Sequence, residues 1–379
     1  MSARSSNGPG IATRVFGSQW FVSVLAVLIA FVIGAILIAL SGASVVDAYY
    51  AMFRGSIVDP NAANAVRMIK PLTDSLFYSI PLIISGLGLA LGFRAGLFNI
   101  GGKGQIIVGA LAAVWVGFSV SLPPVLHTLV ALLVAIVAGG LYGGIAGVLK
   151  AKTGANEVIV TIMLNSIATL GLGYTLAQKA WQVPGTNQPV TPKVAESAAL
   201  ARLLPAPFKL HVGFLVALVA LVAFWWLIER STLGFQIRAV GANAAAARTA
   251  GISVERITAI TMVLSGAFLG LAGANEALGT IGYVSRDVAG SIGFDAITVA
   301  LLGRNKTWGT FGAGLLFGAF KAGGYTMQAK GVPIDMILIL QSVIVLLIAA
   351  PALVRWLFRL PDVRALAANT RKGNADEHK

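Results

Sequence analysis

Few residues in this 379-residue chain have the types and spacing that chemistry requires. The three histidines, His127, His211 and His378, are far apart in sequence and form no HExxH zinc pattern. Cysteine is absent, which excludes disulfides, thiolate metal sites and cysteine nucleophiles. GRNKTWG, residues 303–309, sets Lys306 beside Thr307 but has Asn305 where a phosphate-binding P-loop requires glycine. GLGLALG has the wrong spacing for a dinucleotide fingerprint and no acidic ribose partner. An enzyme therefore has no nucleophile, base or metal cluster to stand on, and no cofactor is implied. If ATP drives this protein, another chain hydrolyses it.

The remaining chemistry is hydrogen bonding to a polar solute, and four residues in apolar surroundings are candidates for it. In GFRAGLFNIGGKGQIIVGA, Gly101, Gly102 and Gly104 interrupt a helical pattern beside Asn99 and Gln105. A broken helix frees backbone groups that a membrane protein tolerates only where protein or a water-filled cavity satisfies them. The segment is either a pathway-lining break or a tight turn at the cytoplasmic end of a hairpin. Asp295, in GSIGFDAITVALLGR, is an acid at membrane depth and so a functional-site candidate, with capping of its short helix or pairing with a base as the alternatives. Asn165, in VIVTIMLNSIATL, is the polar residue best centred in a span and serves either as interhelical glue or as a solute contact.

The elements that must position these residues are membrane helices. The chain is 57% hydrophobic and 11% charged, against about 25% charged in an ordinary soluble domain. Its mean hydropathy is +0.85. Several runs reach the roughly 20 residues that cross a bilayer, which makes this an all-α integral membrane protein. Ten segments are expected, at 20–40, 72–92, 104–120, 125–149, 158–178, 210–228, 257–275, 292–303, 308–327 and 334–354. Residues 1–19 read as a cytoplasmic N-terminal segment, 20–355 as the membrane domain and 356–379 as a cytoplasmic tail. The first apolar run lacks a small-residue cleavage site and reads as a retained span. A loop rich in proline and polar residues, 179–209, is placed outside the cell.

Lysine and arginine number 28 against 14 acids, for a net +14. In this setting they mark cytoplasmic loops, with no nucleic-acid partner implied. Both termini in the cytoplasm places Arg94, Lys150, Lys152, Arg230, Arg238, Arg248, Arg256, Arg304 and Lys306 inside, the larger share of the basic residues. A weak internal repeat links IISGLGLALG in the second segment to VLSGAFLGLAG in the seventh, and five crossings make it an inverted one, as in many transporters. Gly139, Gly143 and Gly147 share a helical face suited to close packing, as do Gly266 and Gly270.

Between two spans lies RAVGANAAAARTAGI, within a cytosolic loop at 230–256. Asn243 is a good N-cap, the alanines are strong helix formers, Arg248 suits the C-terminal dipole, and Gly251 suits a left-handed stop. Seven or eight residues fall short of the roughly 12 to 15 that an isolated helix needs in water. The helix therefore requires a surface, which is either its own membrane face or a partner.

GFRAGLFNIGGKGQ, ANEVIVTIMLN, LGFQIRAVGANAAAARTAGI with SGAFLGLAG, and GFDAITVALLGR together resemble the permease subunits of bacterial ABC importers of the ribose and branched-chain amino acid superfamily. The likeness is greatest to the nucleoside and simple-sugar branch and spans about residues 70–355. It implies a type II importer permease fold with broken helices, paired with a second, paralogous permease in the bacterial inner membrane. It also implies cytosolic ATP-binding subunits and an extracytoplasmic substrate-binding protein. The alanine-rich loop would then be the coupling helix in an ATPase groove, with Gly234, Arg238, Gly241, Asn243, Arg248 and Gly251 fitting that motif. Lys103 stands where the pattern commonly has an acid. The expected function is import of a nucleoside or simple sugar by alternating access, with Asn99, Gln105, Asn165 and Asp295 lining the path. An ion-coupled secondary transporter is the alternative, and a membrane scaffold without transport a third reading.

Overall fold

The computed structural model describes residues 19–333 together with residues 336, 338, 339, 342, 343, 346 and 347. The expected terminal segments, apart from Gln19, and most of the tenth span lie outside the described residues. The chain divides into two compact units, residues 49–327 and the two ends, 1–48 with 328–379. Of the second unit, α1 (Gln19–Leu40) is a 22-residue apolar helix. α2 (Val45–Ser56) begins in that unit and ends in the first, between the first two expected spans.

The larger unit is wholly helical apart from turns and one isolated bridge among the described residues. α3 (Ala65–Arg94) starts seven residues before the expected span, because the Asn64 side chain accepts from Arg67 N at 2.9 Å and caps it. α4 (Gly102–Ser119), α5 (Leu126–Thr153) and α6 (Glu157–Ala177) follow. After a long connection come α7 (Gly213–Arg230), α8 (Thr232–Ala242), α9 (Ala244–Thr249) and α10 (Val254–Asn275). α10 continues into a π-wound turn, Glu276–Ile281. α11 (Ile292–Leu302) is short, and α12 (Thr307–Gln328) closes the unit. Six of these helices are long and apolar enough to cross a membrane. α11 is apolar but too short, and the glycine-rich α12 covers 308–327 as a helix without being among the six, so the ten expected spans are not all found among the described residues.

Packing centres on α10, which lies against α3, α4 and α5. A Cβ added to Gly139 would stand 2.5 Å from Gly266 O, one on Gly266 2.3 Å from Gly139 O, and one on Gly270 2.3 Å from Ala135 O. On the other side of α10, a Cβ on Gly109 would meet Gly270 Cα at 2.4 Å and one on Gly273 would meet Ile106 O at 2.1 Å. Real Cβ atoms do not approach so closely, so backbone touches backbone along two seams. Lipid gives helices little hydrophobic reason to associate, and dispersion over such close contacts supplies it instead. IISGLGLALG of α3 also meets α10, where a Cβ on Gly88 would lie 2.9 Å from Ser265 O.

The connection at 179–209 is not a free loop. Thr191, Val194 and Leu200 donate their backbone N–H to Val284, Gly282 and Leu278 at 3.0, 3.0 and 3.1 Å, and Ala195 donates to Gly117 O at 2.8 Å. His127 is buried beneath it, donating from Nε2 to Val116 O at 3.1 Å and accepting from Ser197 Oγ at Nδ1, 2.8 Å away. His211 is buried at the end of the connection, its Nδ1 accepting from Gly213 N at 3.1 Å. Burial pulls its pKa down to about 4.

Two outcomes follow from this packing. Gly266→Leu is expected to force α5 from α10 and lower the unfolding temperature in detergent by several degrees, an overpacking cost of about 1–3 kcal/mol or more. Gly171→Ala, with nothing within 4 Å of an added Cβ, serves as the unchanged control in the same melt. His211 titrates lower folded than unfolded, so the unfolded chain takes up the proton first as pH falls. Stability is expected to be intact above about pH 6.5 and to decline toward pH 4. His211→Asn should flatten that part of a pH series of melting curves.

Candidate functional site

The turn between α3 and α4 is built from its own polar residues. α3 ends at Arg94, and Leu97 N returns to Gly92 O at 2.9 Å, with Gly96 at φ +73° completing the reversal. Asn99 Nδ2 then donates to Gln105 Oε1 at 3.0 Å and to Ser265 Oγ at 2.9 Å. Asn99 Oδ1 accepts from Gly101 N at 2.9 Å and from Gln105 Nε2 at 3.2 Å. Asn99 and Gln105 are each 1% exposed. In this conformation both side chains hold the turn against α10 and are closed to solvent. Gly104, expected as part of the break, lies inside α4, because Asn165 Oδ1 takes up its N–H at 2.7 Å.

Asn165 joins three pieces of chain. Besides Gly104 N, its Nδ2 donates to Ile100 O at 2.8 Å, so one amide on α6 satisfies a donor and an acceptor freed at the start of α4. The neighbouring N–H of Ile100 donates to Thr161 Oγ1 at 3.3 Å. Against the same point comes the start of α11: a Cβ on Gly293 would lie 2.5 Å from Lys103 N. Two helix N-termini therefore meet inside the unit, at Gly102 and Gly293.

Beside this junction lies an open pocket of about 680 Å³. Lys103, Asn165, Ser166 and Thr169 supply its polar wall, and Phe294 and Leu170 its apolar wall. The sequence reading named Asn165 and overlooked Ser166, Thr169 and Phe294. Their signal was hydroxyl groups at i and i+3 on an otherwise apolar span, and an aromatic next to Asp295. Asp295 is half-buried in the first turn of α11, where Ser291 Oγ donates to it at 2.6 Å. It does not line this pocket.

The second locus is α8–α9. Ser231 Oγ caps α8 by accepting from Gly234 N at 2.9 Å, and a Cβ on Gly234 would stand 2.0 Å from Leu227 O. Asn243 Oδ1 accepts from Ala246 N at 3.0 Å and caps α9. The stop is made by Gly251 at φ +82°, with Ile252 N returning to Ala247 O at 3.0 Å. Arg248 pairs with Glu255 at 2.5 Å, and both are exposed. Only Ala247 of the alanines is buried, at 4% exposure, while Ala244, Ala245 and Ala246 are open. Arg238 is half-buried, and its Nη1 has no hydrogen-bond partner among the described residues. Phe235, Gln236 and Ala239 of α8 with Asn243 and Ala246 wall a groove of about 550 Å³.

Gly241 connects the two loci. A Cβ there would stand 2.1 Å from Arg94 O and 2.9 Å from Ala95 C, so α8 rests directly on the backbone that begins the α3–α4 turn. Arg94 reaches Asn305 O at 2.7 Å with its Nε and lies 3.8 Å from Glu229. The ends of α3 and α7 and the α11–α12 turn are thereby tied together next to α8.

Asn165→Leu is expected to leave Gly104 N–H and Ile100 C=O buried without partners, at about 1–3 kcal/mol each. The unfolding temperature in detergent should fall. Thr169→Val, which removes only a hydroxyl bonded to Asn165 O within its own helix, should leave it unchanged.

Comparison with known proteins bears on both loci. The profile of the family described as branched-chain amino acid transport system / permease component matches residues 72–349. The guanosine ABC transporter permease protein NupP of Bacillus subtilis is 39% identical over 89% of this chain and 95% of its own length. The glucose ABC transporter permease protein TsgB13 of Haloferax volcanii is 35% identical over 85% of each chain. The nucleoside ABC transporter permease protein NupB of Lactococcus lactis is 31% identical over 92% of this chain and 95% of its own. No solved structure matches. A multi-pass helical chain matched over most of its length in this way belongs to the permease-component family of branched-chain amino acid transport systems and is an ABC transporter permease.

Proposed function

We propose that the protein imports a nucleoside, with a simple sugar as the second choice, as one of two permeases in an inner-membrane importer. The nucleoside leads because the guanosine permease is the relative with the higher identity over more of the chain, ahead of the glucose permease. ATP hydrolysis belongs to separate cytosolic subunits, and an extracytoplasmic binding protein delivers the solute. Both termini and the 230–256 loop face the cytosol, 179–209 faces outward, and 20–355 forms the membrane domain.

The observation that carries this reading is the backbone contact of Gly241 with Arg94. A six-residue helix, α9, cannot persist alone in water, yet three of its alanines are uncovered and a groove runs beside it. An ATPase surface seated there covers the alanines, with Gly234, Asn243 and Gly251 shaping the loop and Arg248 and Arg238 supplying charge. Movement of α9 passes through α8 to Arg94, and from there to the turn that Asn99 and Gln105 hold. That turn ends at the pocket beside Lys103 and Asn165. Asn99 and Gln105 thus act on the path by holding its wall, while Asn165 contacts both wall and pocket. Asp295 contributes from the neighbouring helix. α6 has Ser166 and Thr169 on an exposed face, which suits a second permease and a wet path better than lipid.

The test is uptake of radiolabelled guanosine and glucose by the complete complex in proteoliposomes. ATP-dependent uptake of guanosine above glucose is expected. Uptake that survives ATP depletion but collapses with an ion gradient would instead establish secondary transport, and absence of any flux in a stably assembled complex would establish a scaffold. In the same system, Ala245→Trp is expected to weaken retention of the ATPase subunits during purification. Gly241→Val is expected to retain them but to lose about tenfold or more in uptake, through displacement of the α3–α4 turn. Normal uptake by both variants would remove the coupling role.

A further inference from the structure

The pocket beside the α3–α4 turn holds one charge and gives it no counter-ion. Lys103 is half-buried and is the one charged residue among the described residues that line the pocket. It enters none of the ion pairs of the described residues. The backbone on either side of it is fixed, since Asn165 bonds Ile100 O and Gly104 N at 2.8 and 2.7 Å. Against it comes the start of α11: a Cβ on Gly102 would lie 3.2 Å from Gly293 O, and one on Gly293 2.5 Å from Lys103 N. That contact brings Phe294, the next residue, to the same wall, where its side chain stays 55% exposed.

An ammonium half out of water favours a partner, and it offers three donors and no acceptor. With no carboxylate in the wall, it selects a solute edge that accepts at adjacent atoms and donates at neither. The O6 and N7 atoms of a 6-oxopurine make such an edge, and lysine meets it in a recurrent contact. Adenine has an amino group in place of O6, which sets donor against donor. An exposed phenylalanine adds a face on which a base can stack. A hexose has neither a flat π face nor such an edge, and each of its hydroxyls donates as well as accepts. The rest of the wall suits the sugar of a nucleoside. Asn165 is spent on the backbone, but Thr169 donates to Asn165 O at 2.8 Å and keeps its oxygen free to accept, and Ser166 is exposed on the turn between them. At about 680 Å³ the pocket is of the size that small-molecule sites have.

We propose that Lys103 and Phe294 read the base of the transported solute: Phe294 stacks on its face, Lys103 donates to O6 and N7, and Ser166 and Thr169 take the ribose hydroxyls. The pocket therefore prefers a 6-oxopurine nucleoside, such as guanosine or inosine, over adenosine and over a hexose. This rests on the nucleoside-import reading above and gives the permease a selectivity of its own, separate from that of a delivering binding protein.

The chain has no cysteine, so Leu170→Cys sets a single thiol of this chain on the apolar wall, leaving the four proposed contacts intact. In the purified complete complex, modification by a water-soluble maleimide is read from the mass of this chain while guanosine, inosine, adenosine or glucose is titrated in. Half-protecting concentrations are compared within one variant, so differences in thiol reactivity cancel. Guanosine and inosine are expected to protect at concentrations about tenfold below adenosine, with glucose protecting least. Adding Lys103→Met should make guanosine and adenosine protect alike, while Lys103→Arg, again a donor without an acceptor, should keep the preference for guanosine. Adding Phe294→Leu should raise the half-protecting concentration of every nucleoside about tenfold, with Phe294→Tyr close to the parent. The comparison of guanosine with adenosine in the parent needs no further substitution, so it decides even where a variant fails to fold. Absence of modification, equal protection by adenosine and guanosine in the parent, or a guanosine preference that survives Lys103→Met would each overturn the proposal. Uptake into proteoliposomes is scored separately: ATP-dependent guanosine uptake without protection condemns this site alone, and protection without uptake condemns the transport reading alone.

Discussion

The contact of α10 with α5 on one side and α4 on the other, backbone against backbone, is the constraint on which the rest of the unit depends. Five glycines at this double seam, Gly139, Gly266, Gly270, Gly109 and Gly273, leave less room than one methyl group needs. Because the helices are this close, Ser265 of α10 can reach Asn99 in the α3–α4 turn, and the turn can be anchored without a large side chain. The same closeness holds α10 against its neighbours up to Asn275, after which its winding changes.

A second economy concerns polar groups. The turn from α3 into α4 frees backbone donors and acceptors at a depth where lipid supplies no partners. Asn99, Gln105, Thr161 and Asn165 take them up, and in doing so bring α3, α4, α6 and α10 to one point. The residues best able to bind a solute are thereby divided. Asn99 and Gln105 are spent on structure, whereas Ser166 and Thr169 face a pocket, and Lys103 brings a charge to it. The meeting of two helix N-termini at Gly102 and Gly293 adds a fixed positive dipole at this place, beside the Lys103 charge.

The α8–α9 end follows the same pattern of small residues permitting contact. Gly234 lets α8 fold back on the end of α7, and Gly241 lets it rest on Arg94. α9, with its cap at Asn243 and its stop at Gly251, then projects three uncovered alanines. Membership in the permease family and this exposed helix are the two observations on which the proposed ATPase contact rests.

By itself, the sequence determined the solvent, the class and the family. A chain 57% hydrophobic with few charges can only be a bundle of membrane helices, and caps such as Asn243 or stops such as Gly251 are local, so their spacing along the chain is enough to read them. Glycine faces at 139–147 and 266–270 were legible for the same reason, because helical periodicity is a property of one segment. What the chain order does not carry is who meets whom. That Asn99 would be consumed by Gln105 and Ser265, that Asn165 would bridge Ile100 and Gly104, and that the 179–209 connection would be stitched to residues 278–284 all required distant segments to be brought together. Only the tertiary structure decides such meetings, since hydrogen-bonded partners are chosen by distance in space and not by position along the chain.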